Sequence, residues 1–191
     1  MSKRVELRLT GSGGQGLILG GIILANAAIL DGKNAIQSQS YGPEARGGSS
    51  KAEVLISKEK IDFPKVQSTD LLLSLTKVAL DKYVDSVENG GVLLVDSSVE
   101  LPEVSGKAKV VQIPILETAA EVIGKPMVAN IVAIGAINGL LGLVSKKSLE
   151  TAVLNRVPKG TEELNRKSLQ EGYKLVENCD VLEDMRELAA V

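Results

Sequence analysis

The sequence predicts an α/β fold: a three-layer α/β/α sandwich with a mostly parallel, Rossmann-like sheet. Three observations point there. Short apolar runs alternate with helix-length segments along the 191 residues, the order expected of helices packed on a parallel sheet. A glycine-rich turn, Gly11-Ser12-Gly13-Gly14-Gln15-Gly16, joins the first apolar run to a long apolar segment. The interior must be built from Val, Ile, Leu and Ala, because aromatic residues make up only 2% of the chain. That composition suits a sheet buried on both faces.

The elements follow in order. Val5 to Thr10 reads as the first strand, and the glycine turn leads into a helix from Gly14 to Leu30. Asp31-Gly32-Lys33 ends that helix, with Gly32 at the position past the cap where a left-handed residue is favoured. Ala35 to Ser40 is a short second strand. Tyr41 to Gly48 is a loop by its Gly and Pro content. Ser50 to Ser57 alternates, and its one wet face fits an antiparallel strand at a sheet edge. Asp70 to Leu75 is a buried strand. Thr76 to Val87 reads as a helix with Val78, Leu80, Tyr83, Val84 and Val87 inward. Val92 to Val95 and Lys109 to Ile113 are further strands.

Ile115 to Ile123 forms a short helix, and Pro126 opens the next, Met127 to Val144. Ser148 to Asn155 is helical. Thr161 is placed to cap a last helix that runs to Asn178, with Glu162 and Glu163 in its first turn. Residues 1–179 are expected to form one domain, and 180–191 a tail with a weak apolar stripe. The helices after Gly16 and Pro126 are apolar nearly all round, so each expects burial on every side. A domain this small has limited interior for two such helices, so at least one is expected to face another subunit.

Composition also excludes. There is no basic stripe and no aromatic platform, so nucleic-acid binding is not expected. The chain has no histidine, which removes the commonest general base and metal ligand. Its one cysteine, Cys179, cannot hold a Cys₄ cluster, a structural zinc or an internal disulfide. Cys179 also lacks a histidine to activate it as a nucleophile. A cytoplasmic protein is expected: the start lacks the apolar core of a signal peptide, and Met127 to Val144 is short and interrupted for a membrane span.

Gly11, Gly13 and Gly16 match G-x-G-x-x-G in the right strand–helix context. A dinucleotide site also wants an acid at the end of the second strand, and that place holds Gln37 and Gln39. The turn therefore serves close packing of helix on strand, a subunit interface, or another phosphate-bearing ligand. The candidate binding residues here are Gly11, Gly13, Gly14, Gln15 and Gly16. The second cluster, Tyr41, Gly42, Glu44, Arg46 and Gly47, emerges at the same carboxyl edge in a parallel sheet, where ligands favour α/β folds. Arg46 has the fork to pair a carboxylate or phosphate, or equally to pair Glu44. Asn130, inside an apolar helix, is expected to bond to a loop or a neighbouring subunit, since an unpaired buried amide is costly.

On these two clusters the chain resembles the gamma subunit of 2-oxoacid:ferredoxin (acceptor) oxidoreductases, which act on pyruvate, 2-oxoglutarate or 2-oxoisovalerate. The resemblance is carried by Gly11-Ser12-Gly13-Gly14-Gln15-Gly16 and by Gln39-Ser40-Tyr41-Gly42-Pro43-Glu44-Ala45-Arg46-Gly47-Gly48. Ser50 to Ile56 and the Asn130 helix continue it, and it spans residues 4 to 178. It implies a complex that decarboxylates a 2-oxoacid on thiamine diphosphate, passes electrons through iron–sulfur clusters to ferredoxin, and transfers the acyl group to coenzyme A. It implies alpha and beta partner subunits, with a delta partner where the ferredoxin-like chain is separate. Those partners would hold the redox cofactors. This chain would contribute an interface near the active site. The alternative is a free-standing nucleotide- or coenzyme A-binding module.

Overall fold

The computed structural model describes residues 4–41, 49–102 and 108–179. Its six strands are β1 (Val5–Ser12), β2 (Asn34–Tyr41), β3 (Ser49–Ser57), β4 (Thr69–Ser74), β5 (Val87–Asp96) and β6 (Lys109–Ile113). They form one sheet in the order β2-β3-β1-β4-β5-β6. β1, β4, β5 and β6 pair in parallel. β3 is antiparallel to both β1 and β2. The short β2–β3 connection permits only an antiparallel neighbour, because a parallel one needs a crossover of a dozen or more residues. The antiparallel pairing therefore lies at one edge, as its alternation predicts, with β2 outermost.

The helices are α1 (Leu17–Leu30), α2 (Lys77–Tyr83), α3 (Ile115–Glu117, continued by a π turn over Thr118–Val122), α4 (Ala129–Leu141), α5 (Lys146–Leu154) and α6 (Glu162–Val176). The layers are unequal. α1, α4, α5 and α6 share one continuous core with Leu7, Leu9, Val54, Leu71 and Leu94 of the sheet. α2 covers a small cluster of Leu72, Leu93 and Val95 on the opposite face.

α4 is enclosed by its own chain. Every residue from Ala129 to Ile137 is buried. α6 lies so close that a Cβ on Gly172 would sit 2.1 Å from the Val132 carbonyl, and one on Gly135 2.5 Å from that of Leu169. α4 thus needs no partner subunit to bury its apolar surface. α1 differs: Ile29 and Leu30 are 57% and 53% exposed, and Ile18, Leu19 and Ile22 are half-buried.

Four sequence expectations change in detail, the first being that the helix expected over Thr76 to Val87 ends at Tyr83 and Val87 instead starts β5. α1 begins at Leu17, because Gly14 and Gly16 sit at φ +91° and +71°, outside the helical region. Val78 points outward, 68% exposed, and Ala79 takes the buried place beside Leu80. The Thr161 hydroxyl does not cap α6; it donates to the Pro158 carbonyl at 2.6 Å.

β1 carries polar residues that the alternation alone would leave wet. Glu6 and Arg8 are each 8% exposed and Thr10 is fully buried. Arg8 binds Glu53 at 2.7 Å and lies over the Tyr83 ring at 5.4 Å. Lys51 reaches the same carboxylate oxygen at 3.0 Å, and Ser38 donates to the other at 3.4 Å. Burial pushes the Glu53 carboxyl up, but hydrogen bonds from Lys51 and Arg8 outweigh it and hold its pKa below the ordinary range.

Candidate functional site

The glycine turn stands at the carboxyl edge of the parallel strands. β1 ends in Gly11-Ser12, and the chain leaving β4 is held beside it by Leu75 N–H donating to the Thr10 carbonyl at 3.0 Å. Below that bond the Thr10 and Ser74 hydroxyls meet at 2.8 Å, both fully buried. The floor of the site is thus fixed by packing and hydrogen bonds within the sheet.

The predicted residues have different parts in the turn. The Gln15 side chain folds back, its Oε1 accepting from Ser12 N–H at 2.8 Å. That oxygen lies 2.2 Å from where a Cβ on Gly11 would stand, so Gly11 makes room for the clamp. Gln15 therefore shapes the turn from within. Gly13 and Gly14 form its exposed tip. Among the described residues, and apart from the chain neighbours, nothing lies within 4 Å of a Cβ built at either. Gly16 is the first capping residue of α1. No side chain caps that helix start and no acidic residue lies in its first turn. Its leading N–H groups and positive dipole end are left facing the edge.

A second helix reaches this point. Asn130, in the first turn of α4 and 4% exposed, donates from Nδ2 to the Gly16 carbonyl at 3.1 Å. Its Oδ1 accepts from Ile131 N–H at 3.0 Å. The bond to a loop expected of Asn130 is therefore made within this chain. α4 likewise starts without a side-chain cap or an acidic first turn. Two uncapped helix starts are pinned together by one amide.

The other cluster is placed only in part. Tyr41 ends β2, opposite Ser50 of β3, at the same edge of the sheet as Ser12. Gly42, Glu44, Arg46 and Gly47 lie outside the described residues.

Sequence reasoning missed two features of this edge. Asp96, at the end of β5, is 1% exposed and committed: its carboxylate accepts from Leu116 N–H at 2.8 Å and Ser98 N–H at 2.9 Å. It fastens the start of α3 and is not a free acid. Its signal was an Asp-Ser-Ser run ending an apolar strand, a pattern that favours turns and caps. The second feature is topological. A dinucleotide fold sets its second strand beside the first, with the ribose-binding acid at its end. Here antiparallel β3 occupies that place, and β2 is one strand further out.

Comparison with known proteins agrees with this architecture. Residues 6–175 match the family model for pyruvate ferredoxin/flavodoxin oxidoreductase. The chain is 52% identical over 177 residues to 2-oxoglutarate synthase subunit KorC of Methanocaldococcus jannaschii, covering 90% of this chain and 94% of that one. It superposes with a TM-score of 0.83 and 50% identity on a keto/oxoacid ferredoxin oxidoreductase gamma subunit from Geobacter sulfurreducens PCA, over 91% and 97% of the two chains. A 2-oxoglutarate:ferredoxin oxidoreductase from Magnetococcus marinus, with 2-oxoglutarate, coenzyme A and succinyl-CoA bound, shares the fold at TM-score 0.84 and 21% identity. That match covers 93% of this chain and 32% of the other. The chain belongs to the pyruvate ferredoxin/flavodoxin oxidoreductase family, as a gamma-type subunit of a 2-oxoacid:ferredoxin oxidoreductase.

Proposed function

We propose that this chain is the gamma subunit of a complex that oxidises 2-oxoglutarate to succinyl-CoA, and that it completes the active-site region without carrying the redox groups. The supporting observation is the 52% identity, along nearly the full length of both chains, to a 2-oxoglutarate synthase subunit. In this reaction the bond between C1 and C2 of the oxoacid breaks, CO₂ leaves, two electrons pass to ferredoxin and the acyl group joins the coenzyme A thiol. Thiamine diphosphate and iron–sulfur clusters supply that chemistry, carried by alpha, beta and ferredoxin-like partners.

This chain's own residues bind and orient. The Gly13–Gly14 tip and the open start of α1 offer backbone N–H donors at the sheet edge. Arg46, between β2 and β3 in the sequence, would add a forked donor for a carboxylate or for the phosphates of coenzyme A. The exposed stripe of α1, centred on Ile29 and Leu30, is the face that meets a partner subunit. The complex works in the cytoplasm.

The test is Arg46→Ala in the assembled complex. The expected result is a raised apparent KM for coenzyme A or 2-oxoglutarate with the subunits still co-purifying. Loss of assembly would make the loop structural only.

A further inference from the structure

The sheet ends in two edge strands, and they differ. β6 is five residues long and starts at Lys109. β2 is eight residues long, Asn34-Ala35-Ile36-Gln37-Ser38-Gln39-Ser40-Tyr41, with no charge and no proline. Its register against β3 is unbroken over all eight pairs, so no bulge twists it away. Among the described residues β3 is its one strand neighbour. Alternate residues of such a strand point N–H and C=O groups outward. Edge strands are ordinarily guarded by short length, charge, proline or a bulge, because a bare edge templates another strand. β2 has none of these guards.

α1 overhangs this edge. A Cβ on Gly20 would meet Ile134 of α4 at 3.2 Å and Leu9 of β1 at 3.7 Å. One on Gly21 would meet Ala52 and Val54 of β3 at 3.2 and 3.3 Å, and Gln37 of β2 at 3.6 Å. From Gly20 to Gly21 the helix surface thus turns from β1 toward β2. One residue further, a turn of about 100° carries Ile22 past β2 and out over the edge. Ile18 and Ile29 fall on the same stripe. Ile18 and Ile22 are half-buried, and Ile29 is exposed. A strand added about 4.8 Å outside β2 would lie beneath that stripe.

We infer that β2 pairs antiparallel with β2 of a second copy of this chain, joining two six-stranded sheets across a twofold axis. An occupant must bring an uncharged strand edge with an apolar cover on the helix side, and this chain has that surface itself. The pairing is isologous, so the same patch serves both copies, and no like charges meet along it. Facing residues of an antiparallel pair share a sheet face and therefore the same parity, which puts the axis on a residue and not between two. Gln37 and Ser38 are the middle two of the eight, so one of them faces itself. The two α1 helices then lie on one face of the joined sheet, with Ile18 and Ile22 of each turned toward the other. The Ile29–Leu30 end of α1 is left to the other subunits.

The test uses the full chain in its native complex, with Gln37→Cys in one preparation and Ser38→Cys in another. Facing residues of an antiparallel pair have Cα atoms about 4.5–5.5 Å apart, within the span of a disulfide. Mild oxidation is expected to join two copies of this chain through position 37 or through position 38, read by non-reducing electrophoresis and peptide mapping. Ile22→Lys in both copies should lower the yield about tenfold, because like charges would meet beside the axis. Complexes assembled from a mixture of Ile22→Lys and Ile22→Asp chains should regain it, which a folding defect would not allow. A disulfide to another subunit would overturn the inference and leave the gamma-subunit assignment standing. No disulfide at either position, or a yield indifferent to charge at position 22, would overturn it as well.

Discussion

Asn130 Nδ2 donates a 3.1 Å hydrogen bond to the carbonyl of Gly16, so the first turn of the buried helix α4 holds the residue that starts α1. The glycine turn is therefore positioned from two sides: by β1 below it and by α4 beside it. A Cβ on Gly16 would lie 2.7 Å from that same amide nitrogen, on a backbone at φ +71°. Gly16→Ala is expected to destabilise the chain by about 2 kcal/mol, from left-handed strain alone before any clash. Urea unfolding checks it; a midpoint unchanged from the parent would show that the turn is not held as described.

Gly13 offers the opposite case. Its backbone lies outside the left-handed region, and among the described residues beyond its chain neighbours a Cβ there meets nothing within 4 Å. Gly13→Ala should leave the fold intact or stabilise it by about 0.4–1 kcal/mol, through a less flexible unfolded chain. In the assembled complex the same change should lower kcat/KM if, as proposed, the tip is where an outside group approaches. Full activity with raised stability would mean that nothing docks on the tip.

Glu53 links stability to pH. Its folded pKa is depressed, since Lys51 and Arg8 favour the carboxylate more than burial disfavours it. The stability it adds is complete above its unfolded value of about 4.5 and fades as pH falls through the lower folded value. Glu53→Gln leaves Arg8 and Lys51 facing a neutral amide and should cost about 2 kcal/mol at pH 7, the order of a lost hydrogen bond to a charged group. The gap between variant and parent should close as the pH falls below 4. Thermal unfolding at several pH values measures this; a gap independent of pH would remove the electrostatic explanation.

The exposed stripe of α1 predicts an assembly defect without a folding defect. Ile29→Asp with Leu30→Asp adds charge to two side chains more than half exposed, so the chain's stability should change by less than about 0.5 kcal/mol each. Co-purification with partner subunits should fall sharply. Normal assembly would place the interface on another face.

Much of the frame was legible in the sequence because its signals are local. The glycine turn, the apolar runs at β4, β5 and β6, and Gly32 ending α1 each depend on a few neighbouring residues. What was not legible depends on contacts distant along the chain. Nothing near Arg8 announces that Glu53 and the Tyr83 ring will bury it. The apolar surfaces of α1 and α4 suggested that at least one of them faces a partner subunit; which one could not be read, because Gly135 and Gly172 let α6 close over α4 from within the chain. Gln15, a candidate binding residue, clamps Ser12 with its own side chain, a contact that the glycine motif does not announce. At the site, the sequence located the turn and left its orientation to Asn130, 114 residues away.

The most direct test is reconstitution. The complex is purified from its native source and assayed for 2-oxoglutarate-dependent dye reduction in the presence of coenzyme A, with this chain present, removed and restored. The account predicts no turnover by the chain alone, a large loss from the complex lacking it, and recovery when it is added back. Undiminished activity in the depleted complex, or turnover by the isolated chain, would contradict it.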